Sequence, residues 1–114
     1  MSIRILANLQ ASPATVTLPA TVDLLQRLAS DKPSESVTVE YSLEEGNVYF
    51  ASGAKTEIFD EVSVFQTGTA IDHRVSLIIG AGPATDQVEI DQLIRDADGG
   101  EQRDVTSVTI QATS

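Results

Sequence analysis

The chain contains no cysteine and no tryptophan, and only one methionine and one histidine among its 114 residues. Without cysteine there is no disulfide framework and no thiolate-ligated zinc or iron–sulfur centre. A single histidine, His73, excludes a two-histidine metal site within one chain. Cations are scarce as well: seven Lys and Arg stand against 17 Asp and Glu, a formal net charge of −10. Arg4, Arg27, Lys32, Lys55, Arg74, Arg95 and Arg103 are scattered, so no basic run is available to neutralise phosphates. That speaks against a nucleic-acid partner and against the anionic face of a membrane. Long hydrophobic runs are missing too. The longest, Leu77–Gly82, falls far short of a bilayer span, and the opening MSIRILANLQ lacks the apolar stretch of a secretory signal. The expectation is a chain made in the cytoplasm, with no membrane insertion.

What is present is a regular apolar alternation. More than a quarter of the residues are Leu, Ile, Val or Phe, enough to fold, and the length bounds a single domain over residues 1–114. In SVTVEYSL, Val37, Val39, Tyr41 and Leu43 alternate with Ser36, Thr38, Glu40 and Ser42, the period of a half-buried strand. Ile3, Ile5, Ala7 and Leu9 alternate likewise, as do Val75, Leu77 and Ile79, and Val108, Ile110 and Ala112. Residues 58–65 place Ile58, Val62 and Val64 on one side and Phe59 and Phe65 on the other. Two segments fit either a helix or a strand. Residues 22–29 alternate through Val22, Leu24 and Leu28 with Gln26 out of character, and residues 88–95 alternate until Leu93 and Ile94 break the phase. Both are read as strands.

Turn signals fall between the runs, at Ser12-Pro13, Leu18-Pro19, Asp31-Lys32-Pro33, Glu45-Gly46-Asn47, Ser52-Gly53, Thr67-Gly68-Thr69, Gly80–Pro83 and Asp98-Gly99-Gly100. Short strands at that spacing predict an all-β fold: an antiparallel β-sandwich, jelly-roll-like, of about seven or eight strands.

Few motifs carry chemistry. Gly80-Ala81-Gly82 follows a strand, but position 85 is Thr and no helix pattern follows, so it reads as a turn and not as a dinucleotide loop. Asp96, Asp98 and Glu101 flank a Gly pair in an acidic stretch and are the candidates for calcium ligands. The rest of an EF-hand pattern is absent, and no metal is assigned. His73, beside Asp72, lacks a nucleophile motif and reads as a surface histidine. Glu44-Glu45 and Asp60-Glu61 are neighbours that so acidic a chain produces by chance. No catalytic residue and no cofactor is assigned. The aromatic residues Tyr41, Tyr49, Phe50, Phe59 and Phe65 read as core and cross-strand packing, with a carbohydrate platform as the alternative. Phe59 and Phe65, placed opposite Val62 and Val64, are the candidates for a subunit interface.

The order of features resembles that of small β-sandwich proteins of bacteriophage particles. The resemblance runs from Met1 to Leu9, through Val16–Pro19, the strand around Leu24 to Leu28 and Val37-Thr38-Val39. It continues through Gly53 before Phe59-Asp60-Glu61-Val62-Ser63-Val64, to Val75–Gly82, and so covers about residues 1–82. It implies a non-enzymatic virion component, a capsid vertex (penton-like) or decoration protein or a small tail part. Such a protein packs against copies of itself and a major capsid protein. The rival expectations are a carbohydrate- or ligand-binding module of a tail tip or adhesin, and a cupin-like enzyme, for which one histidine is too few.

Overall fold

The computed structural model describes residues 2–44, 46–83 and 86–111. Nine strands run through them: β1 (Ile3–Ser12), β2 (Thr15–Val16), β3 (Ala20–Ser30), β4 (Ser34–Leu43), β5 (Val48–Phe50), β6 (Thr56–Phe65), β7 (Thr69–Ile79), β8 (Gln87–Arg95) and β9 (Glu101–Ile110). They form a four-stranded sheet, β1-β3-β7-β5, packed on a five-stranded sheet, β2-β9-β8-β4-β6. Every pairing is antiparallel except β2 with β9. The architecture is the antiparallel sandwich that the alternation predicts. The two short strands β2 and β5 bring the number to nine. Both ambiguous segments, now within β3 and β8, are strands.

The strand order is that of the immunoglobulin-type sandwich. In that scheme β1-β3-β7-β5 takes the places A-B-E-D, and β9-β8-β4 takes G-F-C, with β6 added beyond C. Which of several sandwich topologies a chain adopts depends on which strands cross between sheets, and alternation alone does not encode that. The molecule measures about 50 × 21 × 17 Å along its principal axes.

The core lies between the sheets. Val22, Leu24 and Leu28 of β3 and Val75 and Leu77 of β7 face Val37, Val39, Tyr41 and Leu43 of β4, Val88, Ile90 and Ile94 of β8 and Val108 of β9. At Gly80 the chain end of β7 passes close to Asn47 and Tyr49. A Cβ there would lie 2.3 Å from Asn47 Oδ1 and 2.5 Å from the Tyr49 ring, so the first glycine of the G-x-G is needed for close approach.

One expected face is corrected. Val37 of β4 pairs with Val62 of β6, but Val39 pairs with Phe59, so β6 carries an extra residue across from β4. This is a β-bulge at Asp60-Glu61, where Glu61 takes the left-handed φ of 55°. The bulge reverses the inside–outside phase. Phe59 moves to the inner side with Val62 and Val64, while Ile58 and Phe65 point outward, 52% and 48% exposed. Simple alternation puts Ile58 with the valines and Phe59 with Phe65, which the bulge prevents.

Candidate functional site: a polar layer across the sandwich

Gln26 and Gln92 are polar residues at inward positions of otherwise apolar strand faces, and the fold brings them together. Gln26 is the inward residue of β3 between Leu24 and Leu28, and Gln92 is the inward residue of β8 between Ile90 and Ile94. They are 5% and 1% exposed. Facing one another across the sheets, they form a reciprocal amide pair, Gln26 Nε2 donating to Gln92 Oε1 at 2.6 Å and Gln92 Nε2 to Gln26 Oε1 at 2.7 Å. Each amide then has one N–H left. Register supplies the acceptors, since Gln92 pairs with Tyr41 of β4 on one side and with Asp104 of β9 on the other. Gln92 Nε2 lies 3.4 Å from the Tyr41 hydroxyl, and Gln26 Nε2 lies 3.3 Å from Asp104 Oδ2. The same Asp104 oxygen accepts the backbone N–H of Leu9 at 2.8 Å. That contact falls where β1 slips its register against β3 between Ala7 and Gln10, so Asp104 satisfies an amide released by the irregularity.

At the opposite side the Tyr41 hydroxyl is 2.9 Å from His73 Nδ1. His73 is stacked on Phe59, with ring centroids 4.1 Å apart and planes 3° from parallel, and lies edge-on to Tyr41 at 5.6 Å. The single histidine is therefore an inward, half-buried residue of β7 and not a surface one. The bulge that turns Phe59 inward is what creates its stacking partner. Burial pushes the Tyr41 phenol well above its ordinary range, so it stays protonated. Burial lowers the His73 imidazole, against a smaller opposing effect of Asp72. On β6, Glu57 pairs with Tyr41 in register; its Oε2 is buried without a hydrogen-bond partner, and desolvation raises its carboxyl.

The calcium candidates are held for other purposes. Asp96 Oδ1 accepts the backbone N–H groups of Asp98 (3.0 Å) and Gly100 (2.7 Å), and its Oδ2 lies 3.1 Å from the Ser2 hydroxyl. These donors, the Gly100 amide foremost, hold its carboxyl below the ordinary range. Asp98 pairs with Lys32 at 2.9 Å and Glu101 with Arg95 at 3.4 Å. The turn is thus built by Asp96 as a local backbone acceptor. Among the described residues no group of three Asp, Glu, His or Cys side chains converges on a common point. The aromatic platform does not assemble either. Tyr41 and Phe50 are fully buried, Phe59 is stacked inside, and Tyr49 lies under Lys55 Nζ at 4.3 Å. Of the two interface candidates Phe59 is an inner residue, and Phe65 is exposed. Of the neighbouring carboxylates, Asp60-Glu61 form the bulge, and Glu45 lies outside the described residues.

Sequence reasoning alone assigns no site role to Gln26, Gln92 or Asp104. The signal was there as a polar residue in phase with a core face on β3 and on β8.

Fold and interior define an immunoglobulin-type sandwich with a polar layer through its core. The sequence matches no protein-family description and no curated protein. Among solved structures, the Pseudomonas fluorescens alkylpurine DNA glycosylase AlkC, bound to DNA containing an abasic site analogue, is similar over 97% of this chain. The TM-score is 0.65 and the identity 15%, and the match takes in 31% of the glycosylase chain. The chain thus corresponds to under a third of that enzyme, and the likeness is one of fold. Lesser similarity is found to the sporulation control protein Spo0M from Bacillus subtilis, at TM-score 0.48 and 9% identity over 99% of this chain and 51% of that one. A conjugative transposon lipoprotein from Bacteroides eggerthii follows at TM-score 0.47 and 12% identity, over 93% of both chains.

Proposed function

We propose that the protein is a non-enzymatic assembly module that associates with copies of itself through the outer face around Phe65. The setting suggested by the sequence resemblance is a bacteriophage particle. The observation that carries the reading is the surface chemistry around this one exposed aromatic residue. Phe65 pairs with Ser34 in register, and Ser36 with Ser63 beside them. On a chain of net charge −10, this corner presents Phe65 among serines. Interface centres are depleted in charge and enriched in aromatic residues, with polar groups around them. The rest of the same outer face carries Glu40, Glu89 and Asp91 beside Arg103 and the Arg95–Glu101 ion pair, charged groups whose burial is unfavourable and which so restrict where two copies meet. A stiff sandwich with a filled core suits repeated packing around a symmetry axis.

Light scattering over a concentration series tests this on the wild-type chain and on Phe65→Ser. A defined oligomer for the wild type, lost in a folded Phe65→Ser variant, is the expected result. A wild-type monomer at every concentration, or an oligomer indifferent to the substitution, overturns the proposal.

A further inference from the structure

The polar layer has a direction. Each amide of the reciprocal pair uses one N–H on its partner, so its second N–H points outward along the chain of bonds, from Gln92 to Tyr41 and from Gln26 to Asp104. Asp104 accepts, as an ionised carboxylate does. Tyr41, accepting from Gln92, has its own O–H free to donate, and the acceptor within reach is His73 Nδ1. The imidazole is therefore the neutral tautomer with its proton on Nε2, and the arrangement joins the β6–β7 side of the sandwich to the β1–β9 side.

We propose that His73 operates this layer as a proton-driven switch, its protonation reversing the hydrogen bonds through Tyr41, Gln92 and Gln26 and loosening the hold of Asp104 on the Leu9 amide. The proton comes from water and adds at Nδ1, which turns from acceptor to donor. The Tyr41 oxygen then accepts from His73. If it also kept accepting from Gln92, its own buried O–H would need another acceptor, and the neighbouring Glu57 Oε2 makes no hydrogen bond in the structure, so the O–H would be left unpaired at a cost. The O–H instead turns to Gln92, which must present Oε1 in place of Nε2. Gln26 turns with it, because the reciprocal pair is satisfied only when both amides flip. Asp104 Oδ2 then meets a carbonyl oxygen where it had an N–H. One proton is taken up, and the bonds between His73 and Asp104 reverse without further exchange.

The charged and titratable groups around His73 set where this happens. Asp72 and Arg74 flank it on the outer face of β7, with Arg74 held by Asp23 of β3 at 3.0 Å. Tyr41 lies on β4, and Glu57 lies beside Tyr41 on β6. Phe59 of β6 and Leu24 of β3 add no charge. Asp72 favours the imidazolium and burial opposes it more strongly, so the transition lies on the acid side of an ordinary histidine.

Nuclear magnetic resonance over a pH titration, from about 8 down to about 4.5, tests the proposal on the full chain. The signals followed are the His73 ring nitrogens, the side-chain amides of Gln26 and Gln92 and the Leu9 backbone amide. The expected result is an unprotonated Nδ1 at high pH and one shared midpoint for all of these signals. In Tyr41→Phe, His73 still titrates while Gln26 and Leu9 stay flat. In His73→Phe the shared midpoint disappears, which keeps the test decisive if Tyr41→Phe fails to fold. A protonated Nδ1 at high pH overturns the proposal. So do Gln26 and Leu9 signals that stay flat in the wild type, or that still move with the same midpoint in either variant.

Discussion

Two stretches of the interior are apolar: Leu43, Phe50, Leu77, Val88 and Ile90 toward one end, and Ile3, Leu28, Val39, Val64 and Ile94 toward the other. Between them Gln26, Tyr41, Gln92 and Asp104 meet through hydrogen bonds. Apolar burial is non-directional and rewards any register that keeps the same face inward. The amide pair is directional. A two-residue slip of β3 or β8 keeps that face inward yet leaves one glutamine without the other, and an unsatisfied buried amide is costly. The apolar stretches supply most of the stability, and the middle layer fixes which of the equivalent registers is adopted.

Substitutions can break that contrast. The largest effect is expected from Leu77→Ala, which empties a fully buried site and should cost about 2–5 kcal/mol in urea unfolding. Gln92→Leu should cost about 1–3 kcal/mol by orphaning Gln26, and the double change Gln26→Leu with Gln92→Leu should recover part of that loss. Losses that simply add would mean that the pair is not a unit, and the contrast would fail.

A smaller effect is expected on acidification. His73 has a folded value below its unfolded one, so its contribution is fully present above about pH 6.5 and is lost as pH falls through the folded value. Thermal melts between neutral pH and about pH 5 should show a larger drop for the wild type than for His73→Phe. The smallest effect belongs to Glu57→Gln. The raised carboxyl of Glu57 opposes folding when ionised, so the variant should melt slightly higher at neutral pH and lose that advantage below the ordinary carboxylate range.

Much of the fold was legible. Alternation located the long strands, and Gly and Pro located the turns. Two things were not legible, for one reason. Side-chain period reports a face only while the strand stays regular. The bulge at Asp60-Glu61 exchanges Phe59 with Ile58, and nothing in the residue types announces it, since Glu61 is not a glycine despite its φ of 55°. That exchange also hid the surroundings of His73, whose stacking partner faces inward only because of the bulge. Gln26 and the break at Leu93-Ile94, by contrast, were visible as misfits. They make sense only once β3 and β8 are known to face each other, a long-range fact that no local window contains. The Asp96 loop looked like a cation site because the carboxylates that cap a turn and those that bind calcium are the same residue types.

The most direct test of the assembly reading is amide hydrogen exchange at low and high protein concentration. Association centred on Phe65 predicts slower exchange at high concentration in residues 33–36 and 62–66, with the β1–β9 side unchanged. Uniform exchange at both concentrations, or slowing confined to the β1–β9 side, would contradict it.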